Sequence, residues 1–447
     1  MEIFKKRQLI LPAFTLFAFV FALNLSAQDE KPVFQGQAPA QVVDTTTRPI
    51  EKQWKGTFSF EQDGVYFSND FDGGRLNKIE RTEEDTYTIM ITPENEPINM
   101  SPWYSFRIWS KRSKEISVKL VYPEFAKHRY SPLISKNGMK WKPLDAKYIT
   151  EEEKGTAAFG VNSRPKRITM RLKTGKKPLW VSAQELQTSK HVFAWVDSMS
   201  GKPYIKNETI GTSKDGRPLR MLKIGKPDSP NMILVISRQH PPEVTGYFAM
   251  KAFVEKLADN SKLSKKFRDD WCIYVVPLMN PDGVDNGHWR HNSGGIDLNR
   301  DWSFFNQPEG RTVSEFLKKR ERETGGKFYF GIDFHSTWDD IYYPMDKKYS
   351  GSVPGLVWEW LDKIEKAIPG YKLNVKPNEK AEPAIVSRNY FFVSHNMEAI
   401  VFEIGDNTPR KFIKKKGEVG AEELMKLLID KRQQISAINN GALSRDQ

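Results

Sequence analysis

The spacing of hydrophobic positions changes character near residue 190 of this 447-residue chain. Between about 51 and 185, apolar side chains recur at every second place. Tyr104, Phe106 and Ile108 alternate with Ser105 and Arg107, and Ile116, Val118 and Leu120 with Ser117 and Lys119. Period two puts each set on one face of a strand. Turn-forming clusters at Gln62-Asp63-Gly64, Asp72-Gly73-Gly74 and Lys136-Asn137-Gly138 punctuate the runs, so residues 51–185 predict a small antiparallel β-sandwich domain. Beyond 190, apolar runs at 232–237, 271–278, 328–334 and 399–404 predict buried strands. They alternate with amphipathic stretches at 246–257, 313–323, 357–368 and 421–438 that predict helices. Strands apolar on both faces, separated by helices, imply an α/β domain over 190–440 with a mixed central sheet and helices on both faces.

The two ends add processing and spacing. Lys5, Lys6 and Arg7 precede an apolar run from Leu9 to Leu25, and Ser26-Ala27 supply small residues after it. That order predicts a signal peptide over 1–27, and hence an exported protein, periplasmic or extracellular; Leu25, not ideal at the third position before the cut, leaves an uncleaved membrane anchor as the alternative. Residues 28–50 are polar, with scattered Pro, Gln and Thr, and read as a linker. No further apolar run reaches about 20 residues, so no transmembrane domain is expected in the mature form.

Charge and cysteine content narrow the chemistry. The net charge of +13 is spread along the chain. It forms no nucleic-acid arm and reads first as a solvated basic surface, one that could also attract acidic peptides, cell-wall polymers or anionic lipid headgroups. Cys272 is the one cysteine, flanked by Trp271 and Ile273. It reads as a buried strand thiol, which excludes an internal disulfide and weakens any thiol-nucleophile mechanism.

Metal-ligand residue types gather where the predicted strands stop. The run 232–237 leads into Arg238-Gln239-His240-Pro241-Pro242-Glu243, 328–334 leads into His335-Ser336-Thr337, and 399–404 contains Glu403. In α/β sheets, chemistry gathers just beyond strand ends. A His and a Glu three apart can turn toward one point, and a His from another strand end would complete a His₂Glu set with a coordination position left for water. His128, His191, His288, His291 and His395 lack such company and read as packing or surface residues.

The motifs HPPE at 240–243, NPDG at 280–283, WR at 289–290, DLNRDW at 297–302, DFHS at 333–336 and FEIGDNT at 402–408 follow in that order. Together they resemble the zinc metallocarboxypeptidases related to carboxypeptidase A, and more closely the cytosolic-carboxypeptidase branch with its extra N-terminal β domain. Gly211 to Pro218 resembles the family's usual first strand, and 71–76 and 103–108 extend the likeness into the N-terminal domain. The resemblance implies one zinc ion held by His240, Glu243 and His335, with Asp297 orienting the first ligand histidine. It implies Glu403 as general base toward a zinc-activated water, and Arg290 as the group that stabilises the oxyanion. Asn299 and Arg300 would grip the substrate's terminal carboxylate, a task suited to the planar guanidinium fork.

Three positions depart from that pattern. Pro242 stands where carboxypeptidase A-like enzymes carry an arginine, Thr337 replaces a frequent aromatic, and Tyr390 does not match the spacing of the substrate-closing tyrosine. The expected function is secreted zinc-dependent hydrolysis of a peptide or isopeptide bond next to a C-terminal carboxylate. Peptidoglycan stem-peptide hydrolysis by the same fold is the alternative. A catalytically inactive binding module is disfavoured by the intact set of polar groups.

Overall fold

The computed structural model describes residues 40–155 and 164–439; the expected signal peptide and the first part of the linker lie outside them. The N-terminal domain is built from β1 (Thr57–Phe60), β2 (Val65–Ser68), β3 (Lys78–Glu83), β4 (Thr86–Met90), β5 (Ser105–Ser110), β6 (Lys114–Val121), β7 (Leu133–Ser135), β8 (Trp141–Pro143), β9 (Ile149–Glu152), β10 (Arg167–Thr174) and β11 (Leu179–Ser182). They form two sheets, β1-β2-β5-β11-β7-β8 and β3-β4-β6-β10-β9. The alternation read in the sequence is what joins them. Phe67, Phe106 and Ile108 of the first sheet bury against Tyr87, Ile116, Val118 and Ile168 of the second. One pair departs from the expected antiparallel pattern: β4 runs parallel to β6, because β5 in the other sheet intervenes between them.

The second domain holds β12 (Ile205–Thr212), β13 (Pro218–Gly225), β14 (Asn231–Ser237), β15 (Cys272–Val276), β16 (Lys327–Thr337), β17 (Ile341–Pro344) and β18 (Glu398–Gly405). Its helices are α1 (Ser189–Met199), α2 (Val244–Leu257), α3 (Lys262–Arg268), α4 (Pro281–Asn286), α5 (Pro308–Thr324), α6 (Leu356–Ala367), α7 (Ser387–His395), α8 (Arg410–Asp430) and α9 (Arg432–Asn439). The sheet order is β12-β13-β15-β14-β16-β18-β17. The adjacent strands β15, β14, β16 and β18 are parallel, and β12, β13 and β17 run antiparallel to their neighbours, which is the mixed sheet expected.

Both sheet faces are apolar, as the continuous runs require. Ile233 and Val235 of β14 pack with residues of α1, α2, α6 and α8. Met232, Leu234 and Ile236 face Val313 and Leu317 of α5 and Phe391 of α7. Cys272 is buried in this second layer, and burial pushes its thiol up to about 11, so it is an inert packing group.

Two sequence expectations are corrected. The strand expected to stop at 334 continues to Thr337, so His335 lies inside β16. The stretch read as a linker is docked at its far end. Thr45 is buried and accepts a hydrogen bond from Gln307 Nε2 at 2.8 Å, and Arg48 N donates to Gly294 O at 2.8 Å.

Candidate active site

β14 pairs with β15 on one side and β16 on the other, so the connections leaving the strand ends diverge there. This switch point is where an open α/β sheet leaves a crevice. His240 and Glu243 follow β14, and β16 carries His335. A register shift in the β14–β16 pairing displaces Phe328 and Phe330 to opposite faces. Beyond it Ile332 and Phe334 enter the larger core, and Asp333 and His335 fall on the other face. His335 is the register partner of Glu403 on β18, which puts the two residues side by side.

Among the described residues, the grouping of His, Cys, Asp and Glu able to hold a metal is His240, Glu243 and His335, all buried, with donor atoms within 4.8 Å of one another. The Nδ1 atoms of the two histidines are 3.2 Å apart. Glu243 Oε1 lies 2.8 Å from His240 Nδ1, and Oε2 lies 2.7 Å from His335 Nδ1. Each ring commits its other nitrogen to a carboxylate. His240 Nε2 is 2.8 Å from Asp297 Oδ1, and His335 Nε2 is 2.7 Å from Asp333 Oδ2. With Nε2 donating outward, two imidazole lone pairs and a carboxylate converge on one point, which is stable only around positive charge. The ionisations show the same demand for positive charge. Burial alone would lower His335, but Asp333 and Glu243 outweigh it and hold the ring well above its usual range. Burial alone would raise Glu243, but His240 and His335 hold it well below. Two nitrogens and a carboxylate are a donor set for zinc.

Around this point the other expected residues are brought together. Arg290 Nε donates to Asp297 Oδ2 at 2.7 Å, so Asp297 bridges Arg290 and His240. Asn299 Nδ2 comes within 3.5 Å of His335 Nε2, and Arg300 Nη1 donates to Asn299 O at 2.8 Å. Burial, and then the charge of Glu243, pushes the carboxyl of Glu403 well above its usual range. Its Oε2 is sealed from solvent and hydrogen-bonds to nothing. Arg290 pairs with Asp297 rather than with Glu403. The five histidines read as packing residues behave as such. His128 contacts Tyr122 Oη at 2.8 Å, His191 caps α1 through Thr188, and His395 contacts Glu321. His288 contacts a main-chain carbonyl, and His291 contacts Asn95. Tyr390 is packed against Trp302 with its hydroxyl 2.7 Å from Ser314 Oγ, consistent with its poor spacing for a closing role.

The sequence reading passed over three residues. Asp333 holds the second ligand histidine and itself accepts from Gln239 Nε2 and Ser387 Oγ, each at 2.5 Å. Its signal was its place two residues before a ligand on one strand. Gln239, next to His240, ties Asp333 to Trp302 Nε1. Arg388 is buried, faces no carboxylate among the described residues, and is lowered to about 10 by burial. Tyr343 lies near enough to feel the charges of both Glu403 and Arg388.

The comparisons follow the same division of the chain. Residues 192–389 match the family described as zinc carboxypeptidase, and residues 67–170 match the cytosolic carboxypeptidase N-terminal domain. The chain is 24% identical over 266 residues to an uncharacterized protein of Zymomonas mobilis, covering 59% of this chain and 66% of that one. It is 24% identical over 298 residues to cytosolic carboxypeptidase 6 of Mus musculus, covering 60% and 52%. It thus spans between half and two thirds of the length of these relatives. The crystal structure of a metallo-carboxypeptidase from Burkholderia cenocepacia shares the fold, with a TM-score of 0.65 at 17% identity over 83% of this chain and 99% of that one.

Proposed function

The chain belongs to the zinc carboxypeptidase family and carries an N-terminal domain of the cytosolic-carboxypeptidase kind, and from that premise we propose that it hydrolyses a peptide or isopeptide bond next to a C-terminal carboxylate. The carrying observation is the convergence of His240, Glu243 and His335 beside an uncommitted Glu403. Zinc, when bound, supplies a Lewis acid that polarises the scissile carbonyl and acidifies a water. Glu403, with a free oxygen and a raised affinity for protons, takes the proton of the attacking water and delivers it to the leaving amine. Arg290, held through Nε by Asp297, has its terminal guanidinium nitrogens to offer the developing oxyanion. Asn299 and Arg300 hold the terminal carboxylate.

Arg388 sharpens the substrate. Its Nε and Nη1 donate to Asn389 Oδ1 and Tyr343 O but to no carboxylate among the described residues. A substrate carboxylate would neutralise this buried charge, so we propose that the preferred last residue is acidic. The targeting pattern at 5–27 supports an exported enzyme, in the periplasm or outside the cell. That location favours a second reading, hydrolysis of peptidoglycan stem peptides.

The test incubates the purified chain with peptides ending in glutamate or lysine, free or amidated, and with muropeptides, each with and without a zinc chelator. Chelator-sensitive release of a terminal glutamate is expected. Cleavage of none of them would remove the enzyme reading, and equal cleavage of amidated peptides would remove the role of Asn299 and Arg300. Glu403→Gln is expected to keep zinc and lose at least about a hundredfold in kcat; loss of zinc would make Glu403 a ligand instead of the base.

A further inference from the structure

Between β4 and β5 the chain leaves the sandwich as a loop that includes Glu94 and Asn95 and reaches the catalytic domain. Glu94 is completely buried. Its carboxylate accepts three consecutive main-chain N–H groups: Trp289 at 2.7 Å on Oε2, and Arg290 at 2.9 Å and His291 at 2.6 Å on Oε1. Asn95 adds a contact of 2.6 Å from Oδ1 to His291 Nδ1 and donates through Nδ2 to Gly295 O at 3.1 Å. Burial alone would raise Glu94, but His288, His291, Arg75 and the Trp289 amide outweigh it and lower it to about 2. A fully ionised carboxylate is therefore clasped by the backbone of the very residue that sends its side chain to Asp297.

We propose that Glu94, supplied by the N-terminal sandwich, is a positioning residue that fixes the backbone at 289–291 and so aims the Arg290 guanidinium. The proposal rests on the carboxypeptidase reading of Arg290. It also gives the sandwich a task in the reaction. The link runs from the Glu94 carboxylate through three amides to Arg290, then through Asp297 to His240. Misplacing a catalytic group by about 1 Å costs on the order of a hundredfold in rate. A loop held only by its own hydrogen bonds would have that freedom, since three adjacent amides point the same way and need one acceptor to satisfy them.

The test uses the full-length zinc-loaded protein as wild type, Glu94→Gln, Arg290→Ala and the double variant. Glu94→Gln keeps the shape but turns one acceptor into a donor facing an N–H. It is expected to lower kcat about 10–100-fold, with KM and zinc content near wild type. Affinity for a phosphinic-peptide mimic of the tetrahedral intermediate should fall by the same factor. In the Arg290→Ala background the same substitution should cost nothing further. Amide hydrogen exchange should quicken at 288–292 and stay unchanged at 400–405. Wild-type kcat in Glu94→Gln, an equal loss in both backgrounds, or faster exchange throughout the domain would each overturn the proposal. Should Glu94→Gln fail to fold, Glu94→Asp, which keeps the charge but withdraws it by one methylene, carries the same comparisons. If the wild type cleaves no peptide, the carboxypeptidase reading falls, and the exchange measurement still decides whether Glu94 holds this loop.

Discussion

His240 and His335 are built alike, each offering Nδ1 inward and resting Nε2 on a buried carboxylate. That construction fixes the tautomer and strengthens the ligand, so the outer carboxylate is part of the metal site. Asp333→Asn retains the volume while removing the charge behind His335, and zinc affinity, measured by chelator competition, is expected to fall about 10–100-fold. An unchanged affinity would mean that the strand alone orients the ring. The ligands themselves were legible in the sequence only through the ordered motifs that carry the family resemblance, since a His and a Glu three apart with a distant second His recur by chance. Asp333 was equally in view and was read as a strand residue, although period two puts it on the same face as His335. Glu94 could not be read at all, since nothing near it in sequence names the three amides it accepts.

At the scale of elements, the strength of the site lies in how α2 is fastened to β16. Ser336 Oγ accepts from Gly246 N at 2.8 Å, and Thr245 Oγ1 donates to it at the same distance. The two elements approach so closely that a Cβ on residue 246 would lie 2.3 Å from the carbonyl oxygen of His335. Gly246→Ala must therefore part α2 from β16, which carry Glu243 at the helix cap and His335 in the strand. A loss of about 1–3 kcal/mol in denaturant-measured stability is expected, as for other overpacked interiors, together with weaker zinc binding. Gly175, where an added Cβ would meet nothing within 4 Å, is the control and should tolerate alanine at little cost. Equal effects at both positions would show that lost backbone freedom, and not the close approach, dominates. The core strands were foreseen to within a few residues because they are apolar on both faces. Helix α1 was missed although Val192, Trp195, Val196 and Met199 form a buried i, i+3, i+4, i+7 stripe. Helix α8 starts at Arg410, well before the expected 421, because its lysine-rich opening hides the buried Ile413 and a Lys416 that pairs with Asp340.

At the scale of the whole molecule the sandwich and the catalytic domain meet through buried charge. Arg129 of the sandwich donates from Nε to Asp406 Oδ2 at 2.7 Å and from Nη2 to Oδ1 at 3.2 Å. The same Nη2 donates to Ser336 O at 3.1 Å, and Nη1 to Ser101 Oγ at 2.7 Å. Both members of the ion pair are almost wholly inaccessible. One guanidinium thus binds the end of β16, next to His335, and the segment after β18, just past Glu403. No local pattern announces a partner 277 residues away, which is why the join between the domains was invisible where each domain by itself was not. Burying a charge is costly, and the pair holds because each partner neutralises the other. Arg129→Met should therefore cost about 3–5 kcal/mol by leaving Asp406 buried and alone. Asp406→Leu should cost a similar amount by stranding Arg129. The double variant replaces the pair with apolar volume and should be more stable than either single one, measured by chemical denaturation of the zinc-loaded chain. If the two losses simply add, the residues act independently, and the domains are held together by their apolar surfaces instead of by this pair.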